Sequence, residues 1–68
     1  MKNRIKVARA EFDMTQADLA KRAGVSRQTI NAMELGKYVP STVLALKLAF
    51  IFKIEVSSLF KLEQEDWD

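Results

Sequence analysis

Four consecutive side chains, those of residues 26 to 29 (SRQT), carry groups of the kinds that recognise the edges of nucleic-acid bases. Arginine can donate two hydrogen bonds to guanine O6 and N7, glutamine can pair with adenine N6 and N7, and threonine offers its methyl group to thymine. Arg27 and Gln28 are the strongest candidates for this chemistry. Such side chains need a rigid element that presents them outward.

Enzymatic chemistry has little support in the composition. The chain contains no histidine and no cysteine, so the commonest general base and all thiol nucleophiles and thiolate metal ligands are missing. The serines and threonines therefore cannot form a histidine-dependent triad, and they are interpreted as helix caps or polar surface. We expect no catalytic residue, no metal and no cofactor.

The charges are distributed unevenly along the chain. Residues 1–53 contain ten Lys/Arg and four Asp/Glu, whereas residues 54–68 contain one and five. A basic body with an acidic tail favours a polyanionic partner for the body. No apolar window is long enough to span a membrane, and the first residues do not resemble a signal peptide, so we expect a cytoplasmic protein without a membrane partner.

Two short helices are predicted in the first third of the chain. The spacing of apolar residues indicates a first helix over about residues 2–12, ended by Asp13. Thr15 is typical of an N-cap, and Asp18 completes a capping box with it. We therefore expect a second helix over about residues 16–23.

An abrupt turn separates the second helix from a third. Gly24 ends the second helix because glycine adopts positive φ without strain, Val25 enters the core, and Ser26 caps a third helix over about residues 27–35. A turn this short makes two helices cross at a steep angle. Residues 16–35 are therefore predicted to form a helix-turn-helix.

The remaining chain is dominated by one strongly apolar helix. Ser41 caps this fourth helix, residues 42–52, which is apolar on nearly every side and so needs cover on every side. Since one small domain covers only one side, we expect a second subunit, with a dimerisation region over about residues 44–63. A fifth short helix follows at Val56–Leu59, and the absence of repeats and linkers indicates a single domain over residues 1–68.

The segments TQADLA, GVSRQTI, ELGKY and PSTVLALKLA carry a family resemblance in their order and spacing. Over almost its whole length the chain resembles the Cro/CI-type (Xre family) helix-turn-helix transcriptional regulators, in particular the small stand-alone dimers of the cytolysin-repressor type. This resemblance implies an all-α, five-helix, repressor-like DNA-binding bundle in which helices two and three form the motif. It also implies a short antiparallel ribbon from the chain ends.

The resemblance implies roles for individual residues. The start of the third helix would face the major groove and read bases through Ser26, Arg27, Gln28, Thr29, Asn31 and Ala32. Phosphate contacts are expected from Gln16 at a helix start and from Lys37 and Tyr38 after the third helix. Lys21 and Arg22 are either further phosphate contacts or ordinary solvated residues.

Two charged residues are interpreted as structural. Arg9 lies four residues after Ile5 and Glu34 four after Ile30, so each borders the apolar side of its helix and needs a partner. Relatives often pair such residues, and we predict an Arg9–Glu34 ion pair. The alternative is two independent surface charges.

A two-fold interface is expected to contain Phe50, Ile54, Leu59 and Phe60. The segment LFKLE alternates apolar and polar residues, so Leu59–Glu63 is predicted to run extended against Met1–Asn3. Trp67 would either cover the bundle or be disordered. Asp13 and Lys53 stand where relatives often have Gly or Asn, which predicts longer or slightly strained helix exits.

Three functions fit this sequence. The first is sequence-specific binding of double-stranded DNA by a homodimeric regulator, more readily a repressor, at an inverted-repeat operator. The second is a DNA-binding antitoxin or restriction-control partner that also binds another protein. The third is a protein-interaction module that does not contact DNA.

Overall fold

The computed structural model describes residues 1–68 as five helices and one two-stranded ribbon, as predicted. In chain order the elements are β1 (Lys2–Asn3), α1 (Ile5–Glu11), α2 (Gln16–Ala23), α3 (Arg27–Glu34), α4 (Thr42–Phe52), α5 (Val56–Leu59), β2 (Phe60–Lys61) and a final 3-10 turn (Gln64–Trp67). None of the helices is long and apolar enough to cross a membrane.

The ribbon joins the two ends of the chain and corrects two predicted boundaries. β1 and β2 are antiparallel, with Lys2 opposite Lys61 and Asn3 opposite Phe60. The prediction that the first helix begins at about residue 2 is wrong, because these residues pair with β2 and α1 begins at Ile5. The predicted extended segment Leu59–Glu63 is wrong at Leu59, which ends α5, whereas Phe60 and Lys61 form β2 and Glu63 has an extended backbone.

Side-chain caps begin the three longest helices where the sequence predicted them. Thr15 Oγ1 accepts a 3.0 Å hydrogen bond from Asp18 N, and an Asp18 carboxylate oxygen accepts one of 3.0 Å from Thr15 N. Ser26 caps α3 and Ser41 caps α4 in the same way, each through its hydroxyl. These bonds satisfy N–H groups that have no partner within the helix.

Four helices have a residue with positive φ at their C-cap or directly after it. The values are 74° at Gly24 and 76° at Gly36, but also 53° at Asp13 and 57° at Lys53. The exits after α1 and α4 are therefore not longer than those at glycine. They are strained instead, because a side chain disfavours the left-handed conformation.

The core lies between the helices and extends to the base of the ribbon. It contains fourteen buried apolar side chains, namely Ile5, Ala8, Met14, Leu19, Ala20, Ala23, Ile30, Met33, Leu44, Leu48, Ala49, Phe52, Leu59 and Phe60. The rings of Phe12 and Phe52 meet edge to face with centroids 5.6 Å apart. Each large side chain buried in this way stabilises the fold by ~1.5–3 kcal/mol, which fixes α2 and α3 against α4.

The C-terminal turn is attached to the amino group of Met1. That nitrogen lies 3.0 Å from Glu63 Oε1 and 3.2 Å from Asp66 Oδ1, and Asp66 also accepts a 2.7 Å bond from Glu63 N. Trp67 lies in this turn with 73% of its surface exposed. The expectation that it covers the bundle is therefore wrong.

Candidate nucleic-acid interface

The turn between α2 and α3 determines how the polar residues 26–29 are exposed. Gly24 turns the chain with φ 74°, and Val25 N donates a 3.0 Å bond to Ala20 O, which closes the end of α2. Ser26 then begins α3 at once. Because buried Ala20, Ala23, Ile30 and Met33 hold the inner faces of the two helices, the outer face of α3 projects from the bundle.

Arg27 and Gln28 are exposed polar residues of this face with no partner inside the protein. Both are exposed, and neither side chain forms a hydrogen bond or an ion pair with the rest of the chain. Asn31, one turn further on, is exposed as well, whereas Ala32 is half-buried. Arg27 and Gln28 are therefore free to use all their donors and acceptors on a ligand.

Ser26 and Thr29 are hydrogen-bonded to each other. Ser26 Oγ accepts a 3.1 Å bond from Thr29 N and lies 2.9 Å from Thr29 Oγ1. The hydroxyl of Thr29 is thus already engaged, while its methyl group remains available for apolar contact. Of these two predicted base-reading residues, Ser26 acts within the protein mainly as the cap of α3.

Gln16 does not point freely into solvent, as a dedicated phosphate contact would. Its Nε2 donates to Asn31 Oδ1 and to Glu34 Oε1, each over 3.1 Å. Its backbone N–H, in the first turn of α2, has no partner within that helix. Gln16 therefore joins the two helices of the motif and offers an anion its backbone N–H rather than its side-chain amide.

Arg9 and Glu34 form the predicted ion pair. Arg9 Nε lies 2.6 Å from Glu34 Oε2 and Arg9 Nη2 lies 3.1 Å from Oε1, while Arg9 Nη1 donates to Met14 O over 2.9 Å. Only 14% of the arginine side chain and 7% of the glutamate side chain are exposed. Burial raises the pKa of Glu34, but the hydrogen bonds from Arg9 and Gln16 outweigh it and hold the pKa below its usual value. The last turn of α3 is thereby fixed to α1 and α2.

The basic and aromatic candidates around the motif are exposed. Lys37 and Tyr38 follow Gly36 directly at the end of α3, and the Lys37 backbone closes that end by donating to Ala32 O over 2.9 Å. Lys21 and Arg22 occupy the last turn of α2. All four residues lie close to α3 in the sequence, and their charged groups or hydroxyl are exposed to solvent.

The residues predicted for a two-fold interface fall into two groups. Phe50 is 84% exposed and Ile54 is 40% exposed, whereas Leu59 and Phe60 are 0% and 9% exposed. The prediction is wrong for the latter two, because α5 packs on α4 and β2 pairs with β1, which turns both side chains into the core. Other exposed apolar side chains lie on α4 and in the loop before it, and we term four of them, Val39, Val43, Leu46 and Phe50, the α4 stripe.

Two polar contacts were missed by the sequence interpretation. Asn3 Nδ2 donates to Met33 O over 2.8 Å, which joins β1 to α3. Lys47 Nζ lies 3.5 Å from Ala23 O, at the negative end of α2. The only signal for Lys47 was a lone charge in an apolar helix, and nothing in the sequence pointed to Asn3.

Comparison with known proteins agrees with this geometry. A family model described as Helix-turn-helix matches residues 5–59. The chain belongs to the Xre family of helix-turn-helix proteins. Two Xre-type relatives are HTH-type transcriptional regulators by name: one from Methanocaldococcus jannaschii is 50% identical over 97% of this chain and 100% of its own, and YgzD of Bacillus subtilis is 46% identical over the same shares.

Two solved structures have the same Xre-type fold. The restriction-modification controller protein C.AhdI from Aeromonas hydrophila has a TM-score of 0.77 and 33% identity, covering 84% of this chain and 86% of its own. The N-terminal DNA binding domain of SinR from Bacillus subtilis also has a TM-score of 0.77, with 26% identity and 90% coverage of both chains. The chain thus shares its overall fold with these two proteins.

Proposed function

We propose that this protein binds double-stranded DNA in a sequence-specific manner as a homodimeric transcriptional regulator, acting as a repressor at an inverted-repeat operator. One observation carries the proposal: Arg27 and Gln28 are exposed and unpartnered at the start of a helix whose other end is fixed by hydrogen bonds. Free donors on a rigid helix suit direct reading of base edges in the major groove.

The relatives support the same class of function. Proteins 46–50% identical over nearly the whole chain carry the name of transcriptional regulators, and the SinR domain, with the same fold, is named as a DNA-binding domain. The proposal assigns this chain no catalytic step and no cofactor.

The proposal divides the exposed residues by role. Bases are read by the first two turns of α3, with Arg27 and Gln28 as the main determinants, and Thr29, Asn31 and Ala32 as secondary contacts. Phosphates are bound by the start of α2 at Gln16 and by Lys37 and Tyr38. Base contacts set the sequence preference, whereas phosphate contacts set affinity and register.

The homodimer is proposed to form through the α4 stripe together with Ile54. The stripe repeats at intervals of four, three and four residues and contains no charged residue of its own, although Arg22 and Lys47 line the same surface and Lys47 Nζ lies 3.5 Å from Ala23 O. A two-fold interface pairs the same patch from both copies, so the apolar side chains of the stripe would pack against those of the second copy. Two copies of α3 would then lie about one DNA turn apart, ~34 Å, with half-site centres ~10 base pairs apart.

Selection of bound sequences from a random duplex pool tests the proposal directly. We expect an inverted repeat with conserved positions spaced by about one helical turn. Enrichment of no sequence, or binding that does not weaken as salt is raised, would contradict DNA recognition and favour a protein-interaction module.

A restriction-control or antitoxin function is the second candidate, favoured by the likeness to the controller protein C.AhdI. This function would use the same DNA-binding surface, but the protein would also act together with a restriction-modification system or a toxin. Purification from the native cell distinguishes the two, because an antitoxin would bring a second polypeptide with it and a free-standing regulator would not.

A further inference from the structure

Asn3 connects the terminal ribbon to the last turn of α3. Its Nδ2 donates a 2.8 Å hydrogen bond to Met33 O, and its Oδ1 accepts one of 3.1 Å from Ile5 N. Its backbone pairs with Phe60 in β2. One half-buried side chain therefore belongs to the ribbon, begins α1 and holds α3 at the same time.

The bond to Met33 differs from the other polar bonds to the end of α3. Those bonds come from Arg9 in α1 and Gln16 in α2 and reach side chains, Glu34 and Asn31. Asn3 instead binds a backbone carbonyl of the last turn, which also accepts a 3.0 Å bond from Gly36 N. Because the acceptor belongs to the backbone, it cannot move by a side-chain rotation alone. The bond from Asn3 therefore constrains the position of α3 itself.

The position of Met33 relative to Arg27 makes this constraint consequential. Six residues of α-helix separate them, a distance of about 9 Å at 1.5 Å per residue. The only side-chain hydrogen bonds at the start of α3 are local ones, between Ser26 and Thr29, so a shift of its far end changes where Arg27 and Gln28 point. Paired hydrogen bonds to a base tolerate changes of only a few tenths of an ångström.

We propose that Asn3 is a positioning residue for sequence reading: by fixing the end of α3 to the terminal ribbon it sets the angle of the helix, and so makes discrimination between DNA sequences depend on an intact ribbon. This inference rests on the proposed function. Asn3 is half-buried in the ribbon, and the proposal gives it no contact with DNA. It affects the contrast between specific and nonspecific binding rather than overall affinity for duplex.

Asn3→Asp isolates the bond to Met33. The variant keeps the oxygen that accepts from Ile5 N, and its negative charge suits the start of α1. It replaces the Nδ2 donor with an oxygen opposite the Met33 carbonyl. Lys2→Ala is the matched control, because it lies next to Asn3 on β1, is exposed, and changes the net charge by the same one unit.

Binding of each variant is measured to the selected operator and to a scrambled duplex of equal length, over a range of salt concentrations. For Asn3→Asp we expect the ratio of the two affinities to fall five- to tenfold with an unchanged salt slope. For Lys2→Ala both affinities should change together. The amide resonances of Leu35 and Gly36 should move in Asn3→Asp and not in Lys2→Ala.

Three results would overturn the inference while leaving the proposed function intact. One is an unchanged affinity ratio in Asn3→Asp, the second is an equal loss on both duplexes, and the third is the same fall in ratio for Lys2→Ala. A parent protein that selects no sequence overturns the proposed function and the inference with it. If Asn3→Asp melts below the assay temperature, the comparison is repeated with Lys53→Gly added to parent and variants alike.

Discussion

Gln16 at the start of α2 and Asn31 on α3 share a 3.1 Å hydrogen bond from Nε2 to Oδ1, although fifteen residues separate them in the chain. The bond occupies the oxygen of Asn31 and leaves its amide nitrogen as the free donor. The proposed phosphate contact and a proposed base contact are thus one connected unit, and they should not act independently.

A double-mutant cycle tests this coupling. We expect Gln16→Ala and Asn31→Ala to be non-additive in operator binding, with an interaction energy of about 1 kcal/mol, because each variant removes the other's partner. Operator affinity of the parent, both single variants and the double variant is measured at one salt concentration. Additive losses would mean that the bond does not persist in the complex.

Arg27→Ala and Lys37→Ala should impair DNA binding in different ways. Loss of Arg27 removes a two-bond contact worth ~1–3 kcal/mol of discrimination and should flatten the preference at one symmetric base position. Loss of Lys37 should weaken specific and nonspecific duplex alike and make the slope of log K against log salt shallower by about one unit. If Arg27→Ala stays folded and binds as selectively as the parent, α3 is not the reading helix.

The Arg9–Glu34 pair should contribute to stability in a pH-dependent way. Glu34→Gln should lower the free energy of unfolding at pH 7 by ~1.5–3 kcal/mol, the range for hydrogen bonds to charged groups. Because the folded protein lowers the pKa of Glu34, this contribution is whole above the unfolded value of about 4.3. It is then lost as the pH falls through that value and on through the lower folded value.

Urea unfolding of parent and Glu34→Gln between pH 3 and pH 7 measures the effect. Asp18 and Asp66 also have lowered pKa values, Asp18 through its backbone bond with Thr15 and Asp66 through that with Glu63, so the informative quantity is the difference between the two proteins. That difference should shrink toward acid pH. A constant difference would show that Glu34 contributes by packing and not by charge.

Lys53→Gly should stabilise the protein. Lys53 holds φ 57° at the end of α4, a conformation that costs a side chain ~1–2 kcal/mol and glycine almost nothing. After the greater backbone entropy of unfolded glycine is allowed for, a net gain of about 0.5–1 kcal/mol remains. Lys53→Ala is the control, since it removes the charge but keeps Cβ, and its denaturation midpoint should stay close to that of the parent.

Charge on the α4 stripe should separate the proposed dimer. Leu46→Lys places like charges at the centre of an isologous patch, so sedimentation should show a monomer at micromolar concentrations where the parent is dimeric. Trp67→Lys makes the same change at an exposed residue outside the stripe and should leave the dimer intact. A stable monomeric parent, or a dimeric Leu46→Lys variant, would assign the stripe another role.

The helix caps and turns that depend on neighbouring residues in the chain could be predicted from the sequence. The caps at Thr15, Ser26 and Ser41 and the glycine turn at Gly24 depend on residues three or four positions apart, and the structure has them where they were expected. The Arg9–Glu34 pair could be found because each charge borders an apolar row and relatives pair such residues.

Features that depend on distant pairing were not predictable. The start of α1 was misplaced because Lys2 and Asn3 can be helical by composition, and only their pairing with β2 excludes it. Leu59 and Phe60 were assigned to an interface because an apolar side chain near the end of a chain does not reveal which side of the fold it meets. The Asn3 bond ends on a carbonyl thirty residues away, which no spacing rule anticipates.

The freedom of Arg27 and Gln28 has a consequence for how this regulator can change over generations. Because no side chain within the protein relies on either residue, both can be exchanged with little loss of folding. Thr29 and Asn31, by contrast, are committed to Ser26 and Gln16. A duplicated gene could therefore acquire a new set of targets through two codons while inheriting the entire scaffold unaltered.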